Sequence, residues 1–199
     1  MRIYLTGAAG ALVLAGMTLA GGQAPTAPSD QPQVTKDNKL LRPANYREWI
    51  YLSSGLGMEY GKARNDIGQF TNVFVAPSAY RQFLATGRWP NKTMFVLEER
   101  TASSRGSINK SGHYQTELAG LSASVKDENR FPEKWAYFSF PSAEGASAEA
   151  FPKPMCWDCH HEHGAVENTF VQFYPTLKAV AQKFGTYDAT KAAKETADK

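Results

Sequence analysis

The chain has 199 residues, of which 42% are hydrophobic and 12% aromatic, enough for one domain with a sizeable core plus terminal extensions. Its formal net charge of +3 is small and gives no electrostatic footprint for nucleic acid or for a charged membrane surface. With only two cysteines, a disulfide framework is excluded.

Residues 1–24 read as a secretory signal peptide. Arg2 supplies a weakly positive start, and the apolar run from Ala8 to Ala20, broken by Gly10 and Gly16, is too short to span a bilayer comfortably. Small residues come next, placing cleavage after Ala20 or near Ala24; an uncleaved anchor is the alternative. No cysteine lies there, which excludes a lipoprotein anchor. Residues 25–39, rich in Pro, Thr, Ser and Gln, read as a flexible leader. A single domain is expected over 40–186, and the Lys/Ala/Thr-rich segment 187–199 reads as a disordered tail.

Within the domain, Asn45 caps a short turn that leads into a strand at Trp49 to Leu52. Ser53 to Asp66, with Gly55, Gly57 and Gly61, reads as a loop, and Phe70 to Val75 as a strand. Pro77 starts a helix that Gly87 stops, with Tyr80, Phe83 and Leu84 forming its apolar stripe. Strands are then predicted at Thr93 to Arg100, at Tyr114 to Val125 with a bulge near Gly120, and at Trp135 to Phe140. Polar linkers at Ala102 to Gly112 and Pro141 to Glu149 separate these strands from each other and from the C-terminal segment. Asn168 opens a last helix towards Phe184 and Gly185, split or kinked at Pro175. The expected class is α+β: a curved antiparallel sheet with a few short helices.

The chemistry sits at Cys156-Trp157-Asp158-Cys159-His160, a Cys-x-x-Cys-His run. Positions i, i+3 and i+4 share one helix face. Both sulfurs can therefore form thioethers to one porphyrin edge while His160 reaches the iron, which is the attachment signature of haem c. One haem per chain is expected, since the motif uses both cysteines. A redox Cys-x-x-Cys pair would want a strand–helix unit that is not apparent here. Zinc bound by Cys156, Cys159, His161 and His163 would crowd four ligands into one turn. Export and the motif together place the protein in the periplasm, with no membrane association once the signal is removed.

The second axial position decides what such an iron does. No Met comes after the motif, and Met155 precedes Cys156 on the wrong side. Met58, Met94 and His113 are the remaining candidates, while His161 and His163 are too close to His160 to cross the ring. The expectation is a five-coordinate iron that binds a small gas or performs oxidative chemistry.

Several stretches, in order, resemble the cytochrome P-460 family: Asn45 to Trp49, Val73 to Pro77 with Tyr80, Thr86-Gly87, Gly120 to Asp127, Trp135 to Tyr137, and the C-terminal motif with Phe173-Tyr174-Pro175. The resemblance implies a curved antiparallel sheet, a His-ligated haem with an open distal side, and a homodimer. In the family's hydroxylamine-oxidising branch a strand lysine is cross-linked to the porphyrin. Leu97 stands at the matching position here, Thr71 where that branch has an arginine, and Ser122 where it has an acidic residue. Lys92, Lys110 and Lys126 are the other lysines considered for such a link. The sequence is more similar to the cytochrome c′-beta branch, which the resemblance ties to an aromatic distal lining and to nitric oxide. Phe95 with Leu97, or Phe70 with Phe74, share strand parity, and either pair is a candidate cap over the iron. An apolar cap disfavours anions and water by desolvation and suits a small neutral gas. The expected function is thus nitric oxide binding, with a redox partner protein as a further candidate partner. Hydroxylamine oxidation and plain electron transfer are the alternatives.

Overall fold

The computed structural model describes residues 29–58, 67–104, 106, 110–141 and 146–197, with side chains of the last helix described to residue 194. The expected signal segment and residues 59–66 of the expected Gly-rich loop lie outside them. Five strands form an antiparallel meander in sequence order: β2 (Ile50–Leu56), β3 (Phe70–Val75), β4 (Met94–Ser103), β5 (Tyr114–Lys126) and β6 (Trp135–Ser139). Two short strands, β1 (Leu40–Leu41) and β7 (Ser147–Ala148), pair apart from it and tie the domain's beginning to the approach of the Cys-x-x-Cys-His motif. The helices are α1 (Pro77–Thr86), α2 (Lys153–His163), α3 (Pro175–Lys183) and α4 (Ala189–Ala197), with 3-10 turns at Tyr46–Glu48 and Val171–Phe173. The α+β class stands. Among the described residues, no helix is long and apolar enough to cross a membrane.

Directly opposed residues of an antiparallel pair share a face of the sheet, so the register assigns every side chain. One face carries Tyr137, Ser124, Phe95 and Val75 in one cross-strand row. The next row is Ser139, Ser122, Leu97 and Val73, and the third contains Gly120, Glu99, Thr71 and Gly55. The helices pack on this inner face. Phe95 meets Trp89 at 4.8 Å, Trp135 at 6.1 Å and Tyr174 at 6.3 Å between ring centroids, and Phe83 of α1 packs on Trp89 at 4.0 Å. The outer face carries Phe74, Val96, Ala123 and Phe138 in one row. It is covered by the N-terminal segment, whose Tyr46 ring stands edge-on to Phe74 at 5.7 Å.

The bulge falls at Ala119, beside Gly120: Glu99 opposes Gly120 while Arg100 opposes Leu118. The helix after Pro77 ends at Gly87 in the left-handed conformation, φ 68°. Several expectations change, β4 running on to Ser103 and β7 lying within the foreseen linker before the motif. The strand foreseen at Trp49 to Leu52 runs on to Leu56, because Ser53 to Leu56 pair with β3 despite their loop-like composition. The segment foreseen as a disordered tail forms α4, which packs on α2. There Lys191 Nζ donates to the His161 carbonyl at 2.6 Å and Lys194 pairs with Glu162 at 2.9 Å. The segment after Asn168 is split at Pro175, as foreseen, into a 3-10 turn and α3, but Asn168 does not open it: it sits at φ 63° in a separate tight turn, and Phe170 precedes the 3-10 turn.

Candidate functional site

Pro152 and Pro154 sit at the entrance of α2, and the helix runs through the whole Cys-x-x-Cys-His motif. The two cysteines are not joined to each other; Cys159 is exposed and Cys156 half-buried. Burial, and behind it the neighbouring Cys159, pushes the Cys156 thiol pKa up. The helix has a weak apolar face of its own and is held by what surrounds it. Trp157 donates from its ring N–H to the Glu133 carbonyl at 3.2 Å, and the flat face of His161 stacks on its indole at 4.4 Å.

His160 is the most constrained side chain of the motif. Its ring packs against Tyr137 of β6 at 4.3 Å and against Phe170 at 4.6 Å. Its Nδ1 lies 3.0 Å from the backbone carbonyl of Asn168. A carbonyl only accepts, so Nδ1 carries the proton and Nε2 the lone pair, the tautomer a metal-ligating imidazole needs. Burial pulls the ring's pKa down to about 4 against a smaller upward pull from that carbonyl, which keeps the ring neutral near pH 7.

Tyr137 places His160 on the inner face of the sheet. The first row there is closed by helices: Val75 and Phe95 are buried. The second and third rows are not. Val73, Leu97, Ser122 and Thr71 are half-buried and Ser139 is exposed. The three positions singled out by the family resemblance, Leu97, Thr71 and Ser122, thus lie together on the face that carries His160, although they come from three strands. Leu97 directly opposes both Val73 and Ser122.

The candidate capping pairs separate by face. Phe95 and Leu97 share the inner face with His160, but Phe95 is 5% exposed and consumed by the core, leaving Leu97 as the member that borders the uncovered rows. Phe70 and Phe74 point to the outer face, where Phe74 packs on Tyr46 and Tyr51. Met94 is also on the outer face and 2% exposed. Met58 lies over Gly55 beside Thr71, on the inner face but at the far edge strand. It stands four strand steps of about 4.8 Å each from β6. His113 is in an exposed loop. Of the lysines, Lys126 is 7% exposed with its amine 2.7 Å from the Trp89 carbonyl and 2.9 Å from Glu167. Lys92 pairs with Asp127, and Lys110 is exposed. Among the described residues, no three His, Cys, Asp or Glu side chains gather as a metal-binding set, so the four-ligand zinc arrangement is not formed.

One group escaped the sequence reading. Glu99 extends over Gly120 on the inner face: a Cβ on that glycine would meet the Glu99 carboxylate at once. Its signal was the bulge, whose extra residue leaves Gly120 opposite Glu99, but that pairing is invisible until β4 and β5 are in register.

The residues present fit a haem. Two thiols and an imidazole of the right tautomer project from one helix, and a partly apolar, uncovered stretch of sheet lies on the same face. Comparison with known proteins agrees: a family model described as Cytochrome P460 matches residues 43–171. No curated protein matches the chain.

Proposed function

The chain belongs to the cytochrome P460 family, a haem-binding family, and from that premise we propose that it is a periplasmic mono-haem c-type cytochrome that binds nitric oxide or a similar small gas. The haem would be held by thioethers to Cys156 and Cys159 and by His160 on the iron. When bound it would supply a redox-active iron with an open coordination position. The protein's own residues do the rest. The Asn168 carbonyl and the rings of Tyr137 and Phe170 orient the imidazole. Leu97 and Val73 form the apolar half of the second row, and the desolvation they impose disfavours hydrated and anionic ligands there.

The observation that carries this reading is the pairing of a fixed His160 with the Leu97 row. A plain electron carrier needs a second strong axial ligand, and Met94, Met58 and His113 are all badly placed for it. A cross-linked hydroxylamine oxidase needs a lysine where Leu97 stands, and the amine of Lys126 is engaged elsewhere. One feature favours that second reading. Glu99 puts a carboxylate one row from Ser122, where a proton acceptor would be useful.

Intact mass and the ferrous absorption spectrum test the proposal together. The expected mass is that of the processed chain plus one haem, with two thioethers and no further link. The expected spectrum is that of an ordinary c-type haem, five-coordinate, converted by nitric oxide. Leu97→Ala should speed the entry of ligands bulkier than nitric oxide several-fold while leaving the fold intact. A six-coordinate low-spin ferrous form abolished by substituting Met58 would restore the electron carrier. Turnover of hydroxylamine with an external oxidant would make the protein an enzyme. Gel filtration decides whether it is the homodimer that the family resemblance implies.

A further inference from the structure

The Asn168 carbonyl that orients His160 belongs to a two-residue turn. Val166 and Thr169 pair with each other through both backbone hydrogen bonds, 3.3 and 2.8 Å. The two residues between them, Glu167 and Asn168, have φ of 44° and 63°. Positive φ at both central positions is the geometry of a type I′ turn, in which Asn and Gly are at ease. Asn168 suits it. A glutamate does not, because in that conformation its Cβ crowds the following carbonyl oxygen. The cost is explained by what the side chain does.

The Glu167 carboxylate receives Lys126 Nζ at 2.9 Å, Arg88 at 3.2 Å and the backbone N–H of Trp89 at 3.3 Å. Lys126, on β5, also donates to the Trp89 carbonyl at 2.7 Å. The Trp89 ring N–H donates to the Thr169 hydroxyl at 2.9 Å, and that hydroxyl in turn donates to the Val166 carbonyl at 2.6 Å. The turn is thus pinned from both ends to β5 and to the end of α1. From the other side it presses on α2, where a Cβ on Gly164 would meet the His160 carbonyl at 2.6 Å and Asn168 and Thr169 backbone atoms at 2.7 Å.

We propose that Glu167 and Lys126 are positioning residues that lock the 166–169 turn, so that the Asn168 carbonyl keeps its hydrogen bond to His160 and sets the donor strength of the axial imidazole. The inference rests on His160 being the iron ligand. A strong Nδ1–H···O=C bond makes the imidazole a better donor and favours the oxidised iron. Loosening the turn weakens that bond and makes the iron easier to reduce.

The test uses the haem-loaded protein. Glu167→Gln and Lys126→Met are expected to shift the ferric–ferrous equilibrium three- to tenfold towards the ferrous form, tenfold being 59 mV for one electron. They should also lower the iron–histidine stretching frequency in the Raman spectrum. Lys126→Arg, which keeps the charge, should restore most of both. Lys92→Met breaks the comparable Lys92–Asp127 pair, away from the turn, and should lower the melting temperature with neither shift. If Glu167→Gln and Lys126→Met fold, carry haem and leave both readouts where Lys92→Met leaves them, the lock is only structural and the inference falls. If one of these variants is too unstable to study, the other decides by the same two readouts, and if both are, Arg88→Gln, which removes the exposed cation on the same carboxylate, takes their place: a smaller shift in the same direction supports the lock, and both readouts unchanged from wild type overturn it. A chain carrying no covalent haem by mass overturns the functional reading itself, which is a different result.

Discussion

Glu98 shows how a single buried charge is made tolerable on the outer face. It is 3% exposed, and it accepts from Tyr46, Arg47, Arg100 and Asn72. Burial raises its pKa, but the hydrogen bonds from Arg100 and Tyr46 and the charges of Arg100 and Arg47 outweigh burial and hold it below the usual glutamate value of 4.5. A depressed carboxylate contributes stability that is fully present above its unfolded pKa and is lost as pH falls through the folded value. Glu98→Gln is therefore expected to cost about 1.5–3 kcal/mol near pH 7. That gap should close as the pH is taken below 4.5, read by denaturant unfolding across pH. Tyr46 works in the opposite direction. Burial, then Glu98, pushes it up to about 12, so its contribution is full below pH 10 and disappears as the pH rises through about 12; Tyr46→Phe should remove that alkaline loss. At this scale the motif is the part of the candidate site that the sequence presents directly, because Cys156, Cys159 and His160 stand at a fixed short spacing. The neighbours that complete the site were not. Parity puts Phe95 with Leu97 and Phe70 with Phe74, but which pair faces His160 is set by pairing with β5 and β6, and that is a property of three strands at once.

The elements that sequence located best are those with chemical punctuation. Pro77 and Gly87 bound α1 to the residue, and Pro175 marks the start of α3. α4 was missed because Ala-Thr-Lys-Ala-Ala-Lys has the composition of a solvated tail, and its order comes from α2, whose C-terminal carbonyl at His161 takes the Lys191 amine. Truncation after Tyr187 should therefore raise amide exchange at residues 161–163 selectively. Gly164 sits between α2 and the turn beyond it, with backbone atoms at 2.6–2.7 Å from any added Cβ. Backbone cannot rotate away as a side chain tip can, so Gly164→Ala is expected to cost about 1–3 kcal/mol. At about 2–4 °C per kcal/mol for a domain of this size, the loss is visible in a melting curve.

For the molecule as a whole, the sheet divides its labour by face. The outer face is sealed by the N-terminal segment and its ion pairs, and the inner face is sealed only in its first row. The α+β meander was readable from alternating strand runs between Gly- and Pro-marked turns. The unsealed rows were not, since each of Val73, Leu97 and Ser122 looks like ordinary strand interior in its own segment. If a haem covers those half-buried rows, a chain unable to hold it should display more apolar surface. The Cys156→Ala, Cys159→Ala double variant is expected to keep no haem after denaturation and, when folded, to bind a hydrophobic fluorescent dye more strongly than the loaded protein. Equal dye binding would mean that the haem covers some other surface.

Because each strand of the meander pairs with the one before it, every contact of the five-stranded sheet is complete by residue 139. Pairing between strands adjacent in sequence keeps contacts comparatively local, even where α1 lies between β3 and β4, and favours early formation, and a chain made from its N-terminus offers all five strands before Cys156 exists. The two halves of the site therefore differ in age. The sheet surface is old when the helix bearing the thiols is new, and β7 and the 166–169 turn come into being on either side of that helix. Assembly can proceed as a berth waiting for its cargo, with no need to pry open a finished core.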